Sequence, residues 1–212
     1  VAWAVENNFF NLYMLKIGGD MHDISVMIGV SAVVAFLTTL FMGSLSDKIN
    51  KRKIFICAGY ILWGLTVISF SIINPEFIAK IMGTEVGAAV SATVMLVIIM
   101  DGLMTFMGST SNDAAFNAWV TDISTPKIRP TIETVFTFVG FLSMVAVMGV
   151  GSLAQSGTVS YQNFFLVLGL IVALCGFAGL FLIKNPEKKS TENEVSSTYC
   201  GGSLRYWRSL HS

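Results

Sequence analysis

Residues 43–53 read Gly-Ser-Leu-Ser-Asp-Lys-Ile-Asn-Lys-Arg-Lys, a short charged stretch between two long apolar runs over residues 24–45 and 54–73. A helix needs about 20 apolar residues to cross a hydrocarbon core about 30 Å thick, because no water is present there to satisfy bare backbone groups. Both runs have this length. The charged stretch is therefore predicted to be a tight turn between two transmembrane helices.

The rest of the chain repeats this pattern, with apolar runs over residues 87–120, 131–154 and 161–183 and a shorter run over residues 1–15. The shorter run has no flank and reads as the second half of a helix, so we expect helix 1 to be truncated. The composition agrees, since 54% of the 212 residues are hydrophobic and 12% are charged, against about a quarter charged in soluble domains. The sequence predicts an all-α membrane protein with a six-helix bundle over residues 1–184.

The last part of the chain, residues 185–212, changes to Lys, Glu, Ser, Thr and Asn. This composition is typical of a solvated linker that cannot bury enough apolar surface to fold. We expect a disordered cytoplasmic tail, although the basic aromatic residues near its end could lie on the inner leaflet instead.

Basic residues gather in alternate loops. One set of loops holds Lys48, Lys51, Arg52, Lys53, Lys127, Arg129, Lys184, Lys188 and Lys189, whereas the other loops hold Lys16 and Lys80. Lys and Arg accumulate on the cytoplasmic side of membrane proteins. The pattern predicts a multi-pass protein of the plasma membrane with both termini in the cytoplasm, and it gives no indication of nucleic-acid binding.

Within the charged stretch, Gly43 and Asp47 stand four residues apart, ahead of the basic cluster. An ordinary positively charged loop explains the Lys and Arg residues but not this spacing. Gly43 is expected to let its helix pack closely against a neighbour, and Asp47 to cap or pair. The stretch resembles the Gly-x-x-x-Asp-Arg/Lys-x-Gly-Arg-Arg/Lys-Arg/Lys motif of the major facilitator superfamily. Asn50 stands where that family usually has Gly, and Asn tolerates a left-handed turn.

The resemblance implies one half of a major facilitator fold, in which two six-helix halves surround a central cavity. It also implies a loop that gates the cytoplasmic side by engaging groups across the boundary between the halves, so that Asp47 is expected to lack its partner here. The missing C-terminal half, or a second copy of this chain, is the expected protein partner. The implied gating residues are Gly43, Asp47, Lys48, Lys51, Arg52 and, in the next cytoplasmic loop, Arg129. Arg129 and Glu133 have the i, i+4 spacing of a surface pair.

A row of polar residues recurs at i+4 spacing along the apolar run over residues 87–120; it consists of Asp101, Thr105, Ser109, Asp113 and Asn117. On regular helix geometry this row drifts about 40° per step and forms one inclined stripe. A lipid-facing stripe is too costly, so we expect it to face the protein interior. It forms either a packing seam of small residues or the wall of a solute path, and its two acids favour the path.

The first apolar run carries Glu6, Asn7 and Asn11. Placing a carboxyl group within the membrane costs several kcal/mol of free energy, so each such group is a candidate functional residue. We expect these side chains to line the same route, whereas the alternative for the Asn residues is hydrogen bonding between helices.

Residues 112–122 are also similar to the melibiose-type branch of glycoside-pentoside-hexuronide cation symporters. That resemblance implies that Asp113 serves the cation and the sugar, with Phe116 or Trp119 stacking on the sugar ring. The branch has further acids on its second helix, but residues 35–39 here contain none. A proton, which needs one carboxyl group, is therefore easier to accommodate than sodium.

Glycines in the last two apolar runs, at positions 140, 149, 151, 169, 176 and 179, are predicted to mark close helix contacts. We find no nucleophile with a base, no metal-ligand cluster and no Gly-rich phosphate loop in the sequence. An enzyme is therefore disfavoured, and no cofactor is expected.

These observations lead to a secondary active transporter that moves a small polar solute, such as a sugar or glycoside, with a proton or monovalent cation by alternating access. Two alternatives remain open. One is an efflux carrier for drugs or metabolites in the same superfamily. The other is a truncated membrane fragment without transport activity of its own.

Overall fold

The computed structural model describes residues 9–49, 51–157 and 159–183, and within these ranges the chain folds as helices joined by turns. The helices are α1 (Asn11–Lys16), α2 (Met21–Ile49), α3 (Arg52–Ser69), α4 (Pro75–Met82), α5 (Val86–Gly108), α6 (Asn117–Ile123), α7 (Arg129–Gln155) and α8 (Tyr161–Leu182). A π-helical segment, Ser109–Phe116, joins α5 to α6.

Five of the described helices are long and apolar enough to cross a membrane: α2, α3, the continuous helix from α5 to α6, α7 and α8. The all-helical membrane fold expected from the sequence is thus confirmed, with one span for each of the five long apolar runs. Residues 1–8, where the first helix was expected to begin, and residues 184–212 lie outside the described part of the chain.

Reciprocal hydrogen bonds fix the start of α2. The Asp23 N–H donates to Asp20 Oδ1 over 2.9 Å, and the Asp20 N–H donates to Asp23 Oδ2 over 3.0 Å. This capping box satisfies two backbone donors that have no partner within the helix. The hydrogen bond from the Asp23 N–H lowers the pKa of Asp20, because it stabilises the carboxylate form.

Helix α4 was missed in the sequence, although its boundary signals are present. Asn74 caps it by accepting a hydrogen bond from the Phe77 N–H over 2.8 Å, and Pro75 follows at the first position. Gly83, with a φ of 66°, ends it in the left-handed conformation. The preceding helix was expected to reach residue 73, but it ends at Ser69 to leave room for this turn.

Glycines bring α3 and α8 together at backbone distance. A Cβ at Gly169 would lie 2.8 Å from Ile68 N, and one at Gly176 would lie 2.8 Å from Ile61 N. Both distances are shorter than real side chains allow, so only Gly fits. The predicted close contacts of α8 are confirmed at these positions.

The same prediction succeeds at one position of α7 and fails at two. A Cβ at Gly151 would overlap the Phe9 ring, whereas one at Gly140 or Gly149 would meet no described atom within 4 Å. Helix α7 is the least buried of the membrane-spanning helices, since 11% of the residues in its most apolar stretch are buried inside the structure. Its remaining apolar surface must face lipid or another helical unit.

An aromatic cluster holds α1 against α3 and α8. The Phe10 ring meets Phe70 edge-on with centroids 4.4 Å apart and lies 5.0 Å from the Phe165 ring. The Tyr13 hydroxyl donates to the Ile73 carbonyl oxygen. These contacts lie at the end of the bundle opposite the charged turn.

Candidate functional site

Arg52 is the centre of a charged hub at one end of the bundle. Its Nη2 lies 2.9 Å from Asp47 Oδ1, and its Nε lies 2.7 Å from Asp122 Oδ2. Asp47 lies in the last turn of α2, Arg52 begins α3, and Asp122 lies at the end of α6. The planar guanidinium group carries five N–H donors in a fixed arrangement, so it can meet two carboxylates in defined directions, which the rotating ammonium group of Lys does not provide. One residue thereby ties together the ends of three membrane helices.

The turn confirms one expectation and corrects another. Asp47 pairs as expected, and its partner is Arg52 of the same chain. Gly43 does not serve close packing here, because a Cβ at this position would meet no described atom within 4 Å. The face of α2 around Gly43 is open instead.

The other basic residues of the two loops lie outside this hub. Lys48 and Lys51 are exposed. Arg129 Nε lies 3.8 Å from Glu133 Oε1, with both side chains about half exposed, so the expected surface pair is confirmed. Such exposed pairs contribute little to stability.

The predicted polar row faces inward over its first part. Asp101, Thr105 and Ser109 are buried, with exposed fractions of 2%, 1% and 0%. Further along, Asp113 is half-buried and Asn117 is exposed. The change coincides with the π-helical segment, in which each N–H bonds to a carbonyl five residues back. The regular i+4 stripe expected from the sequence therefore does not continue through Asp113.

Asp101 is buried against α2. The Ser31 hydroxyl donates to Asp101 Oδ2 over 2.5 Å, whereas Asp101 Oδ1 is buried without a hydrogen-bond partner among the described residues. Ser31 was not singled out in the sequence, because a hydroxyl group in an apolar helix is unremarkable until its neighbour is known.

Asp113 ends a chain of hydrogen bonds that starts on α3. The Tyr60 hydroxyl donates to Asn112 Oδ1, and Asn112 Nδ2 donates to Asp113 Oδ1, each over 2.9 Å. Asn117 Nδ2 donates to the Asp113 carbonyl oxygen over 3.3 Å. The network holds the Asp113 carboxylate in one orientation. Tyr60 and Asn112 were missed as site residues, and their pairing could not be read from the sequence.

Aromatic rings follow Asp113 along the same helix. The Phe116 ring lies 5.9 Å from the Trp119 ring at 31°, and 5.5 Å from the Phe136 ring on α7. Phe116 comes one turn after Asp113, so a carboxylate and an aromatic surface lie close together on the continuous helix.

The first helix contributes less to the described site. Asn11 lies on α1 and is half-buried. Glu6 and Asn7, which were expected to line the same route, lie outside the described residues.

Membrane-crossing helices, a charged hub that joins their ends and a polar row within one of them are together the features of a multi-pass membrane transport protein. A family model of the Major Facilitator Superfamily matches residues 2–209, nearly the whole chain, and the chain belongs to this family. It is thus a secondary transporter in the general sense, embedded in a lipid bilayer and acting on a solute. No curated protein sequence and no solved structure compared with the chain matches it.

Proposed function

We propose that the chain forms the first half of a plasma-membrane transporter that moves a small polar solute, such as a sugar or glycoside, together with a proton or monovalent cation. Both termini face the cytoplasm in this proposal, and transport proceeds by alternating access. The observation that carries it is the half-buried Asp113 carboxylate, oriented through Asn112 by Tyr60.

A carboxylate within a membrane helix is costly and is retained where it has a function. Asp113 is half-buried rather than enclosed, so a ligand can approach it from the side that the helix bundle leaves open. The hydrogen bond from Asn112 fixes one carboxylate oxygen. This arrangement suits a group that binds a cation and a solute hydroxyl in turn.

The surroundings of Asp113 fit a sugar. Asn117 supplies an exposed amide group, and the Phe116 and Trp119 rings supply an apolar surface 5.9 Å apart between centroids. A sugar ring offers hydroxyl groups at its edge and an apolar face, so it can use both kinds of contact. The similarity of residues 112–122 to melibiose-type symporters supports the same solute class.

A proton is the simplest coupling ion. A sodium site of the melibiose type would need acids on α2, but residues 35–39 read Ala-Phe-Leu-Thr-Thr. A single carboxyl group can take up a proton without further ligands.

The charged hub is proposed to act as the cytoplasmic gate. Arg52 holds α2, α3 and α6 together, and the open surface at Gly43 leaves room for a helix of the second half. We propose that the C-terminal half, or a second copy of this chain, packs there in one state of the cycle. Lys48, Lys51 and Arg129 surround the same end.

The proposal can be tested with the chain reconstituted in proteoliposomes under an imposed proton or sodium gradient and a panel of radiolabelled sugars and glycosides. We expect gradient-driven uptake of one solute class, with a second copy of this chain completing the carrier in the proteoliposome, and Asp113→Asn should abolish it. Glu133→Gln makes the same chemical change on an exposed carboxylate and should leave uptake intact.

Several outcomes would overturn the proposal. Unchanged gradient-driven uptake in Asp113→Asn would exclude Asp113 as the coupling group. Transport of chemically unrelated drugs would favour an efflux carrier. An absence of uptake for every solute, in a chain that is folded and inserted, would favour a fragment without activity of its own.

A further inference from the structure

We propose that the Asp101 carboxyl group, paired with Ser31, is a second and separate proton-binding site of the transporter. The inference deepens the proposed function, on which it rests, because it names a buried group that takes up a proton in addition to Asp113, the group proposed to bind the coupling cation and the solute. Its basis is the contact between α5 and α2.

The geometry at Asp101 is that of a buried acid without a counter-charge. Its side chain is 2% exposed, and Ser31 on α2 supplies its one hydrogen bond among the described residues. The Oδ1 atom is buried and accepts no hydrogen bond from the described part of the chain. A buried carboxylate with an unsatisfied oxygen is costly, whereas a proton on that oxygen removes the charge.

The charged groups of α2 lie far along the helix axis from Ser31, the residue that pairs with Asp101. On α2 the nearest to Ser31 are Asp23, about 12 Å away along the axis, and Asp47, about 24 Å away in the other direction. The charged and titratable groups of the other packed elements are Arg52, Lys53, Cys57 and Tyr60 on α3, Glu76 and Lys80 on α4, Glu85 before α5, and Asp113 in the π-helical segment.

None of these groups forms a salt bridge with Asp101 in the described part of the chain. The Arg52 guanidinium group is held by Asp47 and Asp122 at the end of the bundle. The side chains of Glu76 and Lys80 are exposed. Among the described residues no cationic side chain is paired with Asp101, so a proton can take the place of a counter-charge.

Buried hydroxyl groups extend the polar surroundings of Asp101 along the helix as far as Ser109. Thr105 and Ser109 follow at successive turns, and the Ser109 hydroxyl is buried without a hydrogen-bond partner among the described residues. Hydroxyl groups both donate and accept, so they can pass a proton in either direction. This buried stretch runs from Asp101 to Ser109, where the π-helical segment begins that takes Asp113 off the stripe.

The two acids have different environments and thus different tasks. Asp101 is enclosed and has one hydroxyl donor, whereas Asp113 is half-buried and has an amide donor. The step is a simple addition: a hydronium ion gives its proton to Asp101 Oδ1 and leaves as water, while Ser31 keeps its hydrogen bond to Oδ2.

Infrared difference spectroscopy of the chain in lipid, recorded between acidic and alkaline pH, can detect the proton itself. Wild-type protein should show the C=O band of a protonated carboxyl group above about pH 5, where exposed carboxyl groups are ionised. Asp101→Asn should lose this band. Its amide oxygen can still accept from Ser31, so the contact between the helices is kept.

Ser31→Ala provides an independent readout, because loss of the hydroxyl donor should shift the frequency of the band without removing it. Asp113→Asn and Glu133→Gln should keep the band at its wild-type position. The inference is overturned if wild-type protein shows no such band above about pH 5, if Asp101→Asn retains it, or if Ser31→Ala leaves its frequency unchanged. Because the band is measured without a solute, its result is independent of the uptake assay for Asp113.

Discussion

Gly64 on α3 and Gly169 on α8 face each other so closely that a side chain fits on neither. A Cβ at Gly64 would lie 2.6 Å from the Gly169 carbonyl oxygen, and a Cβ at Gly169 would lie 2.7 Å from that of Gly64. Membrane helices gain little from the hydrophobic effect when they associate, and close backbone packing takes its place. This contact therefore sets the distance between α3 and α8.

We expect Gly169→Ala to destabilise the protein by about 1–3 kcal/mol, because the added methyl group forces two backbones apart. Gly140→Ala is the matched control, since a Cβ there meets no described atom within 4 Å. It should be neutral or slightly stabilising, because Ala favours the helix over Gly by about 0.5–1 kcal/mol. Thermal unfolding in detergent compares the two. Equal midpoints would contradict the packing argument.

Arg52 and Asp122 in the hub should be coupled more strongly in their effect on stability than the surface pair of Arg129 and Glu133. A double-mutant cycle of Arg52→Ala and Asp122→Ala is expected to give a coupling free energy above about 1 kcal/mol. The reason is that the Arg52 side chain is 14% exposed and its Nε lies 2.7 Å from Asp122 Oδ2. The same cycle on Arg129 and Glu133, 3.8 Å apart and about half exposed, should give about 0.3 kcal/mol. Similar values for both pairs would refute the special position of Arg52.

Tyr60→Phe removes the hydroxyl group that orients Asn112 but keeps the ring against Trp63, whose centroid lies 5.7 Å away. A net hydrogen bond contributes about 1 kcal/mol, so the half-saturating concentration of the solute found in the uptake panel should rise about fivefold. Tyr161→Phe, which alters a Tyr outside this network, should leave it unchanged. An unaltered value in Tyr60→Phe would show that the network does not position Asp113 for binding.

The capping box predicts a pH dependence at the other end of the protein. The hydrogen bond from the Asp23 N–H lowers the pKa of Asp20 in the folded protein. The Asp20 carboxylate therefore stabilises the folded state above its unfolded pKa of about 3.9. This contribution is lost as the pH falls through the lower folded pKa. Asp20→Ala should therefore be less stable than wild type at pH 7, and the difference should shrink below about pH 4.

Asp20→Asn separates the cap from the charge, because Asn also accepts a hydrogen bond at this position. It should keep most of the stability at pH 7 while losing the pH dependence. Unfolding curves at several pH values measure both effects. A difference between Asp20→Ala and wild type that stays constant down to the lowest pH would contradict the assignment.

The fold was largely predictable, since each long apolar run gave one helix. The expected bounds were close to those of α2 and α8, where composition changes sharply from apolar to polar. Helix α4 was missed because its eight residues lie between two apolar runs. The residues that mark its ends are Asn74, Pro75 and Gly83. They indicate where a helix begins and stops, but membrane-spanning helices are recognised by the length of an apolar run, which α4 lacks.

The acids of the candidate site could be singled out from the sequence, but the residues that contact them could not. Asp101 and Asp113 stood out as acids in an apolar run, but Ser31 and Asn112 did not. The π-helical segment Ser109–Phe116 also changes the face on which Asp113 lies. No property of the individual residues in this segment predicts the altered helix register, because the register depends on how α2 and α3 pack against it.

The sequence alone determined that this chain crosses a membrane as helices and that its basic residues collect in alternate loops. The physical reason is local: a bare backbone cannot enter lipid, so length and composition decide the matter. Tertiary structure decided which groups meet, as in the pairs of Arg52 with Asp122 and Ser31 with Asp101, each 70 residues apart. Such contacts depend on how whole helices are rotated and spaced relative to one another. Glycines such as Gly64 and Gly169 determine this spacing, but only when the helices have packed together.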